Sequence, residues 1–133
     1  MPGDLMKKIL AVDDDGVTRE FYKAVFSEAG FDVEVAPDAF TALEKYLAFS
    51  PDLLVLDMDI PGGGGRIFNL IRGIVKLKKP IVFVTGFPEK AIPMVKGYAG
   101  VSVFQKPVSG EMLVSNVRRL LGVDGTGGAQ NAS

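Results

Sequence analysis

The sequence predicts an α/β fold in which helices cover both faces of a five-stranded parallel sheet. The first observation behind this prediction is the run Leu53-Leu54-Val55-Leu56, whose lack of polar alternation is typical of a strand buried on both faces. The second is that such runs alternate five times with segments of helical spacing. This alternation indicates parallel strands joined by right-handed crossovers, and therefore a three-layer (βα)5 sandwich.

The five predicted strands are short and mostly aliphatic. They cover residues 9–12, 31–35, 53–56, 81–84 and 101–104. The second strand carries acids at Asp32 and Glu34, which alternate with apolar residues and favour a position near the edge of the sheet.

A helix is predicted after each strand. These helices cover residues 17–29, 38–50, 66–76, 89–97 and 110–121. In the second helix, Ala39, Leu43 and Leu47 recur at every fourth position, and we expect them to line its buried face. Pro93 weakens the prediction of the fourth helix, because proline cannot donate an amide hydrogen bond and is expected to break or kink the helix there.

The composition restricts the classes of function. The length of 133 residues predicts one domain, and the hydrophobic fraction of 47% is ordinary for a globular protein. We expect this domain at residues 7–122, between a short tail (1–6) and a disordered tail (123–133) of small and polar residues. The absence of cysteine and histidine excludes disulfides, thiol nucleophiles and phosphohistidine. A net charge of -1 gives no general attraction to nucleic acid or anionic lipid, and no apolar run is long enough to cross a bilayer. We therefore expect a cytoplasmic protein.

Chemically active side chains stand at the ends of four predicted strands. Asp13 and Asp14 follow the first, Asp57 the third, Thr85 the fourth and Lys106 the fifth. Because the carboxyl ends of parallel strands meet at one edge of a sheet, we expect these groups to lie together. Converging carboxylates without histidine or cysteine form a hard oxygen site suited to Mg²⁺. With a hydroxyl and an ammonium beside them, they predict phosphoryl transfer.

Four short motifs occur in this order along the chain. They are Val12-Asp13-Asp14-Asp15 with Arg19 beyond it, Leu56-Asp57 with Pro61 and Gly65, Thr85-Gly86, and Lys106-Pro107. On these motifs, residues 7–122 resemble the receiver domain of two-component response regulators, whose fold is shared with the bacterial chemotaxis regulator. The resemblance implies a flavodoxin-like sheet with strand order 2-1-3-4-5.

The resemblance also implies a metal site and a phosphorylation site. Asp14, Asp57 and the backbone carbonyl of Met58 would ligate Mg²⁺, and Asp13 would support the ion through water. Asp57 would accept a phosphoryl group from a sensor histidine kinase or a phosphotransfer protein. The domain would then signal, through a conformational change, to a downstream effector or a fused output domain.

Two further residues would handle the phosphoryl group. By the same resemblance, Thr85 would bind a phosphoryl oxygen and Lys106 would pair with the phosphoryl charge. The peptide bond between Lys106 and Pro107 would be cis, as it commonly is in the family.

The residues that set the lifetime of the phosphate and the output differ from the common pattern. Asp59 and Phe87 occupy the two variable positions that flank the phosphoryl group in receivers, and we expect both to slow hydrolysis. A tyrosine or phenylalanine commonly stands three residues before the lysine as a switch coupled to the threonine, whereas this chain has Val103. Phe104 is the aromatic residue beside it, and alternation along a strand predicts that it points to the opposite face. A reshaped fourth helix is an alternative output element.

Two other functions compete with the receiver interpretation. Asp57 and Asp59 also resemble the acid pair of haloacid-dehalogenase-type phosphatases. That family places its metal-binding acids after the lysine, whereas the only acids that follow Lys106 here are Glu111 and Asp124. The third interpretation is a binding module that is never phosphorylated. We expect no enzyme activity other than the domain's own phosphorylation and dephosphorylation.

The remaining segments offer no second function. The glycine run at residues 62–65 lacks the lysine and hydroxyl residue of a phosphate-binding P-loop and is expected to be a mobile loop. Nothing after Leu121 can form a DNA-binding helix-turn-helix, so the sequence predicts no direct binding of nucleic acid. The sequence leaves open whether the chain forms a homodimer.

Overall fold

A computed structural model of the chain describes residues 6–70 and 79–123. The strands in these residues are β1 (Lys8–Val12), β2 (Asp32–Ala36), β3 (Leu53–Leu56), β4 (Ile81–Thr85) and β5 (Val101–Gln105). The helices are α1 (Gly16–Glu28), α2 (Ala39–Phe49), α3 (Gly64–Asn69), α4 (Pro88–Val95) and α5 (Gly110–Leu121). Nearly all of both predicted tails and the second half of the third predicted helix lie outside the described residues, so these features stay predictions.

The five strands form one parallel sheet with the order β2-β1-β3-β4-β5. This order confirms the predicted fold. It also places β2 at an edge, as the alternating acids of that strand indicate. The register pairs Val12 of β1 with Leu56 of β3, so the residues that follow these two strands emerge side by side.

Each face of the sheet carries its own hydrophobic core. Helices α1 and α5 cover one face, and this α1/α5 core includes Tyr22, Phe26, Leu113 and Val117. Helices α2, α3 and α4 cover the other face, and this α2/α3/α4 core includes Ala42, Tyr46, Ile67, Phe68 and Ala91. Alternate residues of β3 point into the two cores, and all four are buried. Burial of each such aliphatic side chain contributes about 1.5–3 kcal/mol, which explains the unbroken apolar run.

The buried face of α2 differs from the predicted one. Ala39, Ala42 and Tyr46 are buried, whereas the side chain of Leu47 is 77% exposed, so the prediction for Leu47 is wrong. Residues eight apart are rotated by about 80° around a helix, while residues seven apart are rotated by only about 20°. Tyr46 therefore shares the face of Ala39, and Leu47 does not.

Helix α4 includes the proline that was expected to break it. The helix begins at Pro88, where the missing amide hydrogen costs nothing, and it continues through Pro93 for two more residues. It ends at Val95 rather than at the predicted Gly97. Among the described residues, no helix combines the length and hydrophobicity needed to span a membrane.

Candidate functional site

Three carboxylates meet at the carboxyl edge of the sheet. Asp13 follows β1 and Asp57 follows β3, and the pairing of these strands brings the two acids together with Asp14. One carboxylate oxygen from each of the three lies within 4.8 Å of the others. Asp13 and Asp57 are buried, whereas Asp14 is exposed to solvent. Such a set of oxygen ligands, with one side open to water, fits Mg²⁺.

Lys106 joins two of these acids. Its Nζ atom donates hydrogen bonds to Oδ2 of Asp13 at 2.7 Å and to Oδ2 of Asp57 at 2.8 Å. The Lys106 backbone amide donates to the carbonyl of Thr85 at 2.9 Å, which ties the lysine to the end of β4. The bond between Lys106 and Pro107 is cis, as the resemblance implied.

The pKa shifts in this cluster reflect the competition between burial and charge. Burial raises the pKa of Asp13, and the hydrogen bond from Lys106 only partly opposes that effect. For Lys106, burial alone would lower the pKa, but the hydrogen bonds and charges of Asp13 and Asp57 together raise it. The lysine is therefore a cation at neutral pH. The cluster contains three carboxyl groups, and this ammonium contacts two of them.

The Asp13-Asp14-Asp15 run divides between two tasks. Asp15 is the N-cap of α1, and its carboxylate accepts hydrogen bonds from the backbone amide and hydroxyl of Thr18. Asp13 is held in place instead, since its Oδ1 accepts from the Asp15 amide and its carbonyl accepts from Arg19 at 2.9 Å. Asp15 therefore caps α1, whereas Asp13 and Asp14 belong to the carboxylate cluster.

Gly64 brings the start of α3 against Asp57, the residue that follows β3. Its backbone is so close to Asp57 that an added Cβ would overlap the Asp57 carbonyl oxygen and lie 2.9 Å from the carbonyl carbon. The Gly64 amide also donates to the carbonyl of Met58 at 3.3 Å, and a carbonyl oxygen has a second lone pair for another partner. The glycine run is therefore not simply a mobile loop, because Gly64 is buried and α3 begins there rather than at Arg66.

The backbone amides of Asp59 and Phe87 each donate a hydrogen bond to the side chain of the residue two positions earlier in the chain. The Asp59 amide donates to Oδ1 of Asp57 at 3.1 Å, and the Phe87 amide donates to Oγ1 of buried Thr85, also at 3.1 Å. The side chains of Asp59 and Phe87 both contact Lys90 of α4. Lys90 could not be predicted here, because the pattern of a single sequence does not show which residues a surface lysine contacts.

The two candidate switch residues lie on opposite faces of β5, as strand alternation predicted. Val103 packs against the α2/α3/α4 core, and Phe104 packs against the α1/α5 core. The role of either residue as a switch stays a prediction.

The fold and this edge of the sheet define a class of protein: a doubly wound α/β domain that holds a carboxylate cluster and a lysine at the carboxyl ends of its strands. Comparison with known proteins specifies the family. Residues 9–118 match the response regulator receiver domain. The chain belongs to this family.

Two relatives illustrate how the domain is used elsewhere. The chain is 38% identical over 108 residues to protein-glutamate methylesterase/protein-glutamine glutaminase 2 of Chromobacterium violaceum, which covers 77% of this chain and 30% of that protein. It is 33% identical over 115 residues to the transcriptional regulatory protein CseB of Streptomyces coelicolor, which covers 85% of this chain and 48% of CseB. The chain thus spans less than half of the length of either relative.

A solved structure agrees with this assignment. The chemotaxis protein CheY4 of Vibrio cholerae superposes with a TM-score of 0.77 at 29% identity, and the match covers 86% of this chain and 98% of CheY4. The described fold is therefore the receiver fold over nearly its whole length.

Proposed function

We propose that this receiver domain accepts a phosphoryl group on Asp57 in a Mg²⁺-dependent reaction. The donor would be a phosphohistidine of a sensor histidine kinase or of a phosphotransfer protein. The observation that carries the proposal is the pair of contacts from Lys106 to Asp13 and Asp57 beside exposed Asp14. One ammonium offsets only part of the charge of three converging carboxylates, so the cluster can also bind a divalent cation. Burial keeps Asp57 in one position.

Each residue of the site has a task in the transfer. Asp14, Asp57 and the Met58 carbonyl would bind Mg²⁺, with Asp13 acting through water, and the bound ion would neutralise charge on the phosphoryl oxygens. A carboxylate oxygen of Asp57 forms a bond to phosphorus while the donor's phosphorus–nitrogen bond breaks. The donor imidazole leaves with the electron pair and takes up a proton from solvent.

Two groups would stabilise the charge that spreads over the phosphoryl oxygens. Lys106 already contacts Asp57, so a small shift would bring its ammonium onto a phosphoryl oxygen attached to that residue. The Thr85 hydroxyl would donate to another oxygen. Thr85 is buried at the end of β4, and its hydroxyl oxygen accepts a hydrogen bond from the Phe87 amide. Because a hydroxyl can accept one hydrogen bond and donate another, it would either keep this contact while donating to the phosphoryl oxygen or release it.

The lifetime of the phosphorylated state would depend on Asp59 and Phe87. Phe87 would shield the acyl phosphate from water, and the charge of Asp59 would oppose the entering oxygen. Both effects slow hydrolysis, so replacing Phe87 with Ala should raise the rate of phosphate loss. An unchanged rate in that variant would contradict the shielding role.

We place the output at α4 and β5. Val103 stands where an aromatic switch is common, and it packs with Met94 and Val95 of α4 against the same core. A movement of Thr85 toward the phosphate would thus reach α4 through packed aliphatic residues. The receiver of a cytoplasmic signalling protein would pass this change to an effector, an output domain or a second copy, without itself binding nucleic acid.

The competing functions fit the site less well. A phosphatase would need Asp59 as a free acid/base, but its carboxylate pairs with Lys90. Glu111, the one described acid that follows Lys106 in the chain, belongs to the first turn of α5. We therefore propose that the chain catalyses only its own phosphorylation and dephosphorylation.

Incubation with Mg²⁺ and acetyl phosphate tests the proposal. Intact mass spectrometry should find one added phosphoryl group in the wild type and none in Asp57→Asn or without Mg²⁺. Asp59→Asn is the matched control and should still be phosphorylated. Steady turnover of p-nitrophenyl phosphate would favour a phosphatase. Mg²⁺ binding without phosphorylation by either a small donor or a histidine kinase would favour a binding module.

A further inference from the structure

Lys90 lies between the two residues that flank the phosphorylation site. Its Nζ atom is 3.5 Å from Oδ1 of Asp59 and 4.7 Å from the centroid of the Phe87 ring. Asp59 belongs to the β3–α3 connection and Phe87 to the β4–α4 connection. A single ammonium therefore contacts both of the connections that follow β3 and β4.

The backbone of the same two residues contacts the reacting side chains. The Asp59 amide donates to the Asp57 carboxylate and the Phe87 amide donates to the Thr85 hydroxyl. A displacement of either flanking residue would change one of these hydrogen bonds. Lys90 itself is fixed by the first turn of α4, since its amide donates to the Phe87 carbonyl at 3.0 Å.

The two contacts of Lys90 differ in kind but share one charge. The contact with Asp59 is an ion pair, and the contact with Phe87 is a cation–π interaction, which is favourable within about 6 Å of the ring centroid. All three residues are exposed, with 53% for the Lys90 side chain, 43% for the Asp59 side chain and 47% for Phe87. At this exposure each contact is weak, so the expected effect is a change of a few fold and depends on salt.

We propose that Lys90 is a positioning residue that slows hydrolysis of the phosphorylated domain. This inference rests on the proposed phosphorylation of Asp57. In the hydrolysis, a water oxygen bonds to phosphorus, the bond between phosphorus and the Asp57 oxygen breaks, and inorganic phosphate leaves. Lys90 holds the Phe87 ring in place, which restricts the path of that water. Because the ammonium also offsets part of the Asp59 charge, its net slowing effect acts through the ring.

The test is the rate of phosphate loss from purified phosphoprotein after removal of the donor. Lys90→Gln should raise this rate a few fold, as expected from the loss of one exposed cation–π contact with Phe87. Lys90→Arg should restore a rate near that of the wild type, because arginine keeps both the charge and the ring contact. Lys96→Gln, which removes the same charge from an exposed lysine at the end of α4, should leave the rate unchanged.

Two further readouts separate positioning from a general effect on the fold. Higher salt should speed phosphate loss more in the wild type than in Lys90→Gln, because it also weakens the contact of Lys90 with the ring. Lys90→Gln should also add little to the effect of Phe87→Ala, because the lysine acts through that ring.

Several outcomes would overturn the proposal. An unchanged rate in Lys90→Gln, equal acceleration in Lys90→Arg, or full additivity with Phe87→Ala would contradict the role of Lys90 while leaving phosphorylation of Asp57 intact. Failure of the wild type to form any phosphoprotein, from either acetyl phosphate or a histidine kinase, would instead overturn both the proposed function and this inference.

Discussion

The ammonium nitrogen of Lys106 lies 2.8 Å from Oδ2 of Asp57, and this contact joins the ends of β5 and β3 across the intervening β4. The two residues are 49 positions apart in the chain, so only the order of the sheet brings them together. The lysine contacts the Asp57 carboxylate oxygen beside which phosphoryl charge would develop. Its removal therefore has two separable consequences, one for the metal and one for the transfer.

Replacing Lys106 with Met should slow phosphorylation and strengthen Mg²⁺ binding. The transfer loses a cation that stabilises phosphoryl charge, and the loss of one such group typically costs about 100-fold in rate. The metal loses a competing positive charge beside Asp13 and Asp57, so its affinity rises. Stopped-flow phosphorylation by acetyl phosphate and calorimetric Mg²⁺ titration measure the two effects. Weaker Mg²⁺ binding in the variant would contradict this account of the cluster.

Asp14 should account for most of the stabilisation by Mg²⁺. At a concentration 100 times its dissociation constant, a ligand that binds only the folded state raises the free energy of unfolding by about 2.7 kcal/mol. Urea unfolding in Mg²⁺ and in EDTA should show this gain in the wild type and little of it in Asp14→Asn. Asp32→Asn, at an exposed acid of β2, is the control and should keep the gain. An equal gain in Asp14→Asn would remove Asp14 from the metal site.

Gly64→Ala should destabilise the fold much more than Gly65→Ala. Both glycines lie in α3, so the gain in helix propensity is the same. At Gly64 the new Cβ overlaps the backbone carbonyl of Asp57, and such overpacking typically costs about 1–3 kcal/mol. At Gly65 it comes within 2.8 Å of Cε of Met94, the flexible end of a side chain that can move away. Urea unfolding of the two variants provides the comparison, and equal stabilities would contradict the close approach at Gly64.

Asp38 should make the stability pH-dependent in the acid range. It is the N-cap of α2, and the hydrogen bond from the Thr41 amide, 2.7 Å long, lowers the pKa of the Asp38 carboxyl below its ordinary value. Such a carboxyl stabilises the fold above its unfolded pKa of about 3.9, and the stabilisation is lost as the pH falls through the folded pKa.

The variant that isolates this effect is Asp38→Asn, which keeps an acceptor at the cap but cannot ionise. The wild type should be more stable than the variant at pH 7, and the difference should shrink as the pH is lowered below 4. Thermal unfolding at a series of pH values measures it. A difference that stays constant with pH would show that the charge of Asp38 has no part in capping.

The fold and the chemical groups of the site could be predicted from the sequence because both leave a local pattern. The β3 run reads as a doubly buried strand, and Asp57 directly follows it. The parallel topology then brings Asp13, Asp14 and Lys106 to the same edge. The family resemblance rests on these same residues, which is why the carboxylate cluster and the cis bond at Lys106 could be expected from the sequence.

Other features could not be predicted because they depend on packing between elements. Apolar residues cover more than one face of α2, so the sequence alone does not decide between Leu47 and Tyr46 as core residues. The close approach of Gly64 to Asp57 depends on where α3 begins. The contacts of Lys90 depend on the position of α4 relative to the β3–α3 connection, which no short motif records.

The measurement that tests the central claim most directly is identification of the phosphorylated residue. The phosphoprotein formed with Mg²⁺ and acetyl phosphate is reduced with borohydride, which converts an aspartyl phosphate to homoserine, and its peptides are sequenced by mass spectrometry. We predict homoserine at position 57 alone. Homoserine at position 14 or 59, or a phosphoryl group that survives reduction on a hydroxyl side chain, would contradict the assignment of Asp57 as the acceptor.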